Sequence, residues 1–180
     1  MKATGIVRRI DDLGRVVIPK EIRRTMRIRE GDPLEIYTEK DGEVIFKKYS
    51  PMGELADFAI QICETLSKTT GCVTAVCDRD TIIAVAGAPK KELLERKISG
   101  ELEQVMEGRQ VYLQTSEEPG FPASDGQEKY KTAIAAPILA EGDVMGCVMF
   151  LRQDSDPTLG VVEHKLAQTV AGFLGRQMEH

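Results

Sequence analysis

Basic side chains crowd the beginning of this sequence. Residues 1–29 contain nine Lys or Arg and only three Asp or Glu. A guanidinium group binds a phosphate through two parallel hydrogen bonds, and it can also reach guanine edges in the major groove. The cluster therefore predicts binding to nucleic acid, the partner that such a local excess of positive charge typically indicates.

Four of these basic residues follow one another at helical spacing. Arg23 and Arg24 follow Lys20 by three and four positions, and Arg27 follows them by four and three. Pro19 suits the start of a short helix. Ile22 and Met26 lie well round the helix from this stripe. We therefore expect a short helix that packs through Ile22 and Met26 and presents a basic face to solvent.

Two hairpins are predicted around this helix. The first has strands at residues 3–10 and 15–18, joined by the turn Asp11-Asp12-Leu13-Gly14. The second has strands at residues 34–39 and 43–48, and its Asp41-Gly42 turn is a strong hairpin signal. The strand at residues 3–10 lacks clean alternation of apolar and polar residues, which a twisted strand or one paired with a partner chain would explain.

Net charge and composition divide the chain near residue 51. The formal net charge is −5, but residues 1–50 carry 12 basic and 9 acidic side chains, whereas residues 51–180 carry 12 and 20. Pro51 and Gly53 break any strand that arrives from residues 44–48. We expect two domains, residues 1–50 and residues 51–180, with different partners.

The first domain is too small to bury a core alone. It has few large apolar side chains, no aromatic residue before Tyr37, and no cysteine or metal-ligand set to stabilise it. We therefore expect an obligate homodimer through residues 1–50.

Helices and strands alternate in the second domain. Helices are predicted from Leu55 to Leu66, at residues 90–97 and 99–107, and from Thr158 to Met178; strands are predicted at residues 72–77, 82–86, 110–114, 132–139 and 144–151. The first and last helices carry apolar residues on more than one face, which is typical of a helical bundle between subunits. Thr115–Lys129 is expected to be either a lid over a ligand pocket or a mobile surface loop.

Signals for catalysis, metal binding and membrane insertion are weak. One histidine lies in the last predicted helix and the other is the last residue. No Gly-x-Ser-x-Gly or phosphate-loop pattern is present. No apolar run reaches the 18 residues that a membrane span needs. We expect no catalytic residue, no metal, no cofactor, no membrane partner and a cytoplasmic location. The four cysteines are expected to be reduced packing residues.

Residues 1–50 closely resemble the AbrB-like swapped-hairpin family of bacterial transition-state regulators. The likeness is carried by Gly5-Ile6-Val7-Arg8, by Asp11 with Leu13-Gly14-Arg15-Val16-Val17-Ile18-Pro19, and by Glu21-Ile22-Arg23. It implies that two chains interleave their hairpins into one barrel whose arginines contact double-stranded DNA. The implied contact residues are Arg8, Arg9, Arg15, Arg23 and Arg24, with Lys2, Lys20 and Arg27 as weaker candidates.

The whole chain resembles sporulation regulators whose second domain has a GAF-like fold. This resemblance implies an α+β protein, with a mostly antiparallel central sheet and terminal helices in residues 51–180, that assembles into a homotetramer. It implies a sequence-selective activator and repressor of sporulation genes, modulated by an unidentified small ligand. Residues 51–180 lack the Asn-Lys…Phe…Asp-Glu set of GAF domains that bind cyclic nucleotides.

Two alternatives from other functional classes remain. Swapped-hairpin domains also resemble the DNA-binding ends of antitoxins, although residues 51–180 look folded rather than disordered and partner-wrapping. Certain GAF-like proteins are thiol-dependent reductases, which makes the cysteines a second candidate set.

Overall fold

The computed structural model describes residues 4–179, apart from the side chains of residues 51 and 54. The chain forms two compact units, Met1–Tyr49 and Ser50–His180. Among residues 4–179 no helix is long and apolar enough to cross a membrane.

The first unit contains one helix and one hairpin. Helix α1 spans Lys20–Met26, and strands β1 (Leu34–Thr38) and β2 (Val44–Lys48) pair in antiparallel register. The turn between them requires a positive φ, which Gly42 supplies at 83°. The second predicted hairpin is therefore present.

Two expectations for the first unit differ from the structure. Within the described residues 4–19 no strand forms, so the first predicted hairpin is reduced to its turn. No residue of Lys20–Met26 is buried, Ile22 is half-buried, and Met26 is 56% exposed, so Met26 does not anchor the helix. The physical reason is that a single copy of this small unit has too small a core to cover these side chains fully.

The second unit is built on a six-stranded sheet within residues 50–179. Every pairing is antiparallel, and the strand order is β4-β3-β8-β7-β5, with β6 paired to β7. The strands are β3 (Val73–Cys77), β4 (Ile82–Ala86), β5 (Tyr112–Leu113), β6 (Phe121–Ser124), β7 (Gln127–Ala140) and β8 (Asp143–Arg152).

Helices cover both faces of this sheet. Helices α2 (Pro51–Glu54), α3 (Ala56–Thr70) and α6 (Val161–Gln177) contribute to one core, which includes Phe150 and Ile138. Helices α4 (Lys90–Leu93) and α5 (Gly100–Glu107) contribute to the other, which includes Met149 and Leu151. Because successive strand residues point to opposite faces, one sheet supplies both cores.

The expected long loop at Thr115–Lys129 is wrong in its second half, where seven of these fifteen residues are strand. Residues 121–124 form β6, and β7 begins at Gln127, five residues earlier than expected. Gly120 and Gly126 both have positive φ. These glycines, which favoured a loop, lie in the turns before and after strand β6. The irregular part is residues 114–120, and residues 125–126 form the turn between β6 and β7.

Candidate nucleic-acid interface

A turn organised by Asp11 holds Arg15 in a defined position. Asp11 Oδ1 accepts hydrogen bonds from the backbone N–H groups of Leu13 (3.0 Å) and Arg15 (2.7 Å). Asp11 Oδ2 accepts the Arg15 Nε–H at 2.8 Å. Short polar side chains such as Asp favour such turns because their oxygen satisfies nearby backbone donors.

The electrostatics of this turn favour an ionised Asp11. The hydrogen bond from the Arg15 backbone N–H, assisted by the Arg15 side chain and the Leu13 N–H, lowers the pKa of Asp11 below its usual 3.8. The Arg15 side chain is still 69% exposed. Asp11 engages only Nε, so the outer guanidinium nitrogens of Arg15 remain accessible to a phosphate or a guanine edge.

Helix α1 presents three basic residues to solvent. Pro19 precedes it with φ −58°, an angle that proline fixes by its ring. Lys20, Arg23 and Arg24 are all exposed. They share a face because residues three and four apart are neighbours on a helix.

Arg27 differs from the other members of the predicted stripe. It ends the helix in the left-handed conformation with φ 52°, and Ile28 N–H closes the turn on the Arg23 carbonyl at 2.8 Å. Its own carbonyl accepts a hydrogen bond from Lys48 Nζ at 3.0 Å, and the residue is half-buried. Arg27 therefore helps to join α1 to the hairpin.

Three predicted DNA-contacting residues remain: Arg8, Arg9 and Lys2. Arg8 and Arg9 are exposed in the irregular segment that precedes the Asp11 turn. Lys2 lies outside the described residues. Sequence reasoning missed Asp11 as a positioning residue, although an Asp that opens a four-residue turn ending in glycine, one residue before an arginine, is a readable signal.

Apolar side chains are exposed throughout the first unit. Val7, Ile10, Leu13 and Val17 are each at least 70% exposed. Ile36, Val44 and Phe46 of the hairpin are exposed as well. So many exposed apolar side chains in one small unit indicate an interaction site.

A second apolar surface lies on the terminal helices of the second unit. The rings of Phe58 in α3 and Phe173 in α6 approach to 5.7 Å between centroids, yet both are exposed, Phe173 by 44%. Val162 lies three helical turns before Phe173 on the same face and is 66% exposed. We name Phe58, Val162 and Phe173 the terminal-helix patch.

An open groove of about 290 Å³ lies beside the irregular segment at residues 114–120. Its lining includes Thr115, Glu117, Arg152 and Thr158. Arg152 already donates hydrogen bonds to the backbone carbonyls of Asp154 and Asp156. The lining is therefore polar, and its one guanidinium group holds the loop that leads to α6.

The cysteine thiols are poorly suited to nucleophilic catalysis. All four cysteines are free; Cys63, Cys77 and Cys147 are buried, and Cys72 is half-buried. Burial raises the pKa of Cys63 to about 12, and it also raises the pKa values of Cys77 and Cys147. These three thiols stay protonated at neutral pH, whereas the thiolate is the reactive form.

Two protein families match this chain. The family described as "Stage V sporulation protein T C-terminal, transcription factor" matches residues 54–179. The family described as "Antidote-toxin recognition MazE, bacterial antitoxin" matches residues 7–53. The two matches meet at the beginning of the second unit.

Individual relatives show the same division. Stage V sporulation protein T of Bacillus subtilis (strain 168) is 52% identical over 179 residues, which cover 99% of each chain. Transition state regulatory protein AbrB of the same organism is 56% identical over 63 residues, 32% of this chain and 65% of that protein.

A solved structure supports the fold of the second unit. The GAF domain from an Acinetobacter phosphoenolpyruvate-protein phosphotransferase has a TM-score of 0.56 at 15% identity, and it covers 73% of this chain and 84% of that chain. At this identity the likeness shows the fold alone. The AbrB-like and GAF-like resemblances drawn from the sequence are both confirmed.

Proposed function

Because this chain belongs to the stage V sporulation protein T family, we propose that it is a sequence-selective DNA-binding regulator that activates and represses sporulation genes. The observation that carries the proposal is the set of exposed guanidinium groups on the first unit, above all Arg15 held by Asp11. The family description as a transcription factor and the AbrB relative support the same function.

Phosphate contacts supply most of the affinity in this proposal. Helix α1 has only seven residues and is flanked by irregular chain, so it is not a long recognition helix in the major groove. Arg8, Arg9, Arg15, Arg23 and Arg24 bind phosphates and some guanine edges, and DNA shape supplies further discrimination. Lys2, Lys20 and Arg27 contribute less in this proposal, and Arg27 is half-buried at the end of α1.

A second copy of the chain completes the DNA-binding unit. The exposed apolar residues at positions 7, 10, 13 and 17 need a partner, and they lie in the segment where strands are predicted but do not form in one chain. In a swapped dimer these strands pair with those of the other copy and bury the apolar side chains. The guanidinium groups then occur in pairs.

The terminal-helix patch joins two such dimers. Phe58 and Phe173 offer an aromatic pair next to Val162 on helices that already pack on one sheet face. A bundle of these helices between subunits gives a cytoplasmic homotetramer with two DNA-binding heads. Two heads on one DNA raise the apparent affinity when their spacing fits the helical repeat.

The GAF-like unit is the place for a small regulatory ligand. The open groove beside residues 114–120 supports this part of the proposal. A ligand acts there only if it binds one arrangement of the tetramer better than another, because equal affinity shifts no population.

An antitoxin-like role is the second candidate, and the match of residues 7–53 to the MazE family favours it. Residues 56–177 are largely helix and strand and bury two cores, unlike the disordered segment that wraps a toxin. A thiol-dependent reductase is opposed by the buried, protonated cysteines. Regulation that persists after all four cysteines are replaced by Ser excludes the reductase.

The DNA-binding proposal is tested by measuring the affinity of the full chain for duplex DNA by fluorescence anisotropy. Arg15→Ala and Arg24→Ala should each lower affinity at least about tenfold while the mass from light scattering stays unchanged. Lys91→Ala, which removes an exposed charge from the second unit, is the matched control and should have no effect.

Salt dependence tests the same proposal independently. If a dimer neutralises about six phosphates, the logarithm of the affinity should fall with the logarithm of salt concentration at a slope of about −5. A slope near zero, or equal loss of affinity in Lys91→Ala, contradicts the proposal.

A further inference from the structure

Two cysteines and one methionine from three different elements lie in the same buried core of the second unit. Cys77 in β3 and Cys147 in β8 are direct partners in the antiparallel register. Met106 in α5 places its Sδ atom 4.0 Å from Cys77 Sγ. Directly opposed residues of antiparallel strands point to the same face, so both thiols lie under α5.

This sulfur cluster, Cys77, Cys147 and Met106, is almost completely enclosed. Cys77 and Cys147 have no exposed surface and Met106 is 3% exposed. Both cysteines are free, so the cluster contains no disulfide. The proposed DNA-binding function does not use these residues.

The spacing between Cys77 and Met106 is the spacing that two ligands of one small, soft metal ion require. An ion bound at about 2.3 Å from each sulfur with trigonal angles holds its ligands about 4 Å apart. The Cys77–Met106 distance is therefore already that of two ligands of one ion. Thiolate and thioether ligands select monovalent copper over harder divalent ions.

We propose that Cys77, Cys147 and Met106 form a binding site for one Cu(I) ion. One cysteine loses its proton, which leaves to solvent, and the resulting thiolate balances the charge of the ion. The second thiol and the thioether are neutral donors, so the filled site carries no net charge. Neutrality matters because an uncompensated charge in an enclosed apolar site is strongly unfavourable.

Competing sites are scarce in the rest of the protein. Among the described residues 4–179 no group of three His, Cys, Asp or Glu side chains could hold a metal. Cys63 is also buried, but it belongs to the core on the other face of the sheet. The sulfur cluster is distinguished from these residues by its third donor, a thioether.

Enclosure sets the rate of uptake. The cluster is covered by α5, so the ion reaches it when the helix opens locally. Binding should be slower than reaction at the half-buried thiol of Cys72, and the bound ion should be released slowly. The filled site then joins β3, β8 and α5 through one centre.

The test is an anaerobic titration of the reduced, full-length protein with Cu(I) buffered by the chelator bicinchoninate. We expect uptake of one ion per chain after equilibration, with a sulfur-to-copper absorption band in the near ultraviolet. Cys77→Ser and Cys147→Ala should abolish uptake, and Met106→Leu should weaken affinity at least about tenfold. Cys72→Ser is the matched control and should bind as the unaltered protein does.

Several outcomes overturn the proposal. They are failure of the unaltered protein to take copper from the chelator, equal loss in Cys72→Ser, and loss of two free thiols without bound copper. Met106→Leu keeps the volume and apolar character of the core, so a folded Met106→Leu protein that binds copper unchanged also counts against it. The titration needs no DNA, so its result is independent of the proposed DNA binding.

Discussion

Asp11 and Arg15 are joined by three hydrogen bonds that close one turn. The Asp11 carboxylate accepts the Arg15 backbone N–H at 2.7 Å and its Nε–H at 2.8 Å, and the Asp11 N–H donates to the Arg15 carbonyl at 3.0 Å. An arginine restrained in this way loses less side-chain entropy when it binds a phosphate. The acidic residue thus improves a basic site.

Ionisation of Asp11 gives the first prediction. Its pKa is lowered by hydrogen bonds that exist only in the folded turn, so their contribution to stability is present above pH 3.8 and is lost as pH falls through the lower folded value. A carbon-detected NMR titration should give a midpoint below 3.8. Arg15→Ala removes the side-chain hydrogen bond and should raise the midpoint; an unchanged value contradicts the assignment.

Two substitutions of Asp11 should distinguish the effect of its backbone hydrogen bonds from the effect of its ion pair with Arg15. Asp11→Asn keeps an oxygen for the backbone N–H groups but loses the charge, whereas Asp11→Ala loses both. We expect the ratio of specific to non-specific duplex affinity to fall more in Asp11→Ala, by about three- to tenfold. Anisotropy with matched and scrambled duplexes measures it, and equal ratios in both variants contradict the positioning role.

Two glycines of α6 should respond oppositely to alanine. A Cβ at Gly175 would overlap the Leu139 carbonyl, whereas one at Gly172 would meet no atom within 4 Å. Gly175→Ala should lower the free energy of unfolding by about 1 to 3 kcal/mol through overpacking. Gly172→Ala should raise it by about 0.5 to 1 kcal/mol through helix propensity. Denaturant unfolding checks both, and equal effects contradict the packing.

Thr74 holds α3 to the sheet through one buried hydrogen bond. Its Oγ1 donates to the Cys63 carbonyl at 2.8 Å, and the residue has no exposed surface. Thr74→Val preserves the shape of the side chain but removes the hydrogen-bond donor. The free energy of unfolding should therefore fall by about 1 to 3 kcal/mol. Thr74→Ser keeps the hydroxyl and should lose less stability; a larger loss in Thr74→Ser would point to the methyl group instead.

Charge on the terminal-helix patch should divide the assembly. Phe173→Glu places a carboxylate beside Phe58, where burial between subunits is costly. We expect the mass from light scattering to halve while each head still binds DNA with a loss of avidity. Leu113→Glu, at a similarly exposed apolar residue of β5, is the control. A Phe173→Glu protein that keeps the mass of the tetramer contradicts this interface.

The elements with strong local signals were predictable from sequence. Strand β4 was predicted at its observed limits, and helix α6 differs by a few residues at its start, because apolar periodicity and turn residues agree there. Strand β6 was missed because Pro122 and the flanking glycines favour loops, whereas long-range pairing with β7 decides its conformation.

The cluster of basic residues at the candidate site could be recognised from sequence, but its geometry could not. The exposed arginines follow from charge clustering, and the restraint of Arg15 by Asp11 required coordinates. Met26 was expected to pack, since helical periodicity identifies an apolar face without showing whether one chain can cover it. The approach of Met106 to Cys77 depends on how α5 lies on the sheet, which periodicity does not encode.

The order of strands in the sheet also bears on how the second unit folds. Strands β6, β7 and β8 are consecutive in sequence and neighbours in space, so this meander closes only short loops. Pairing of Val73 in β3 with Leu151 in β8 instead closes a loop that contains most of the second unit. We expect the meander to form early in the folding transition and β3 to insert late, so slowed refolding should follow changes in the meander.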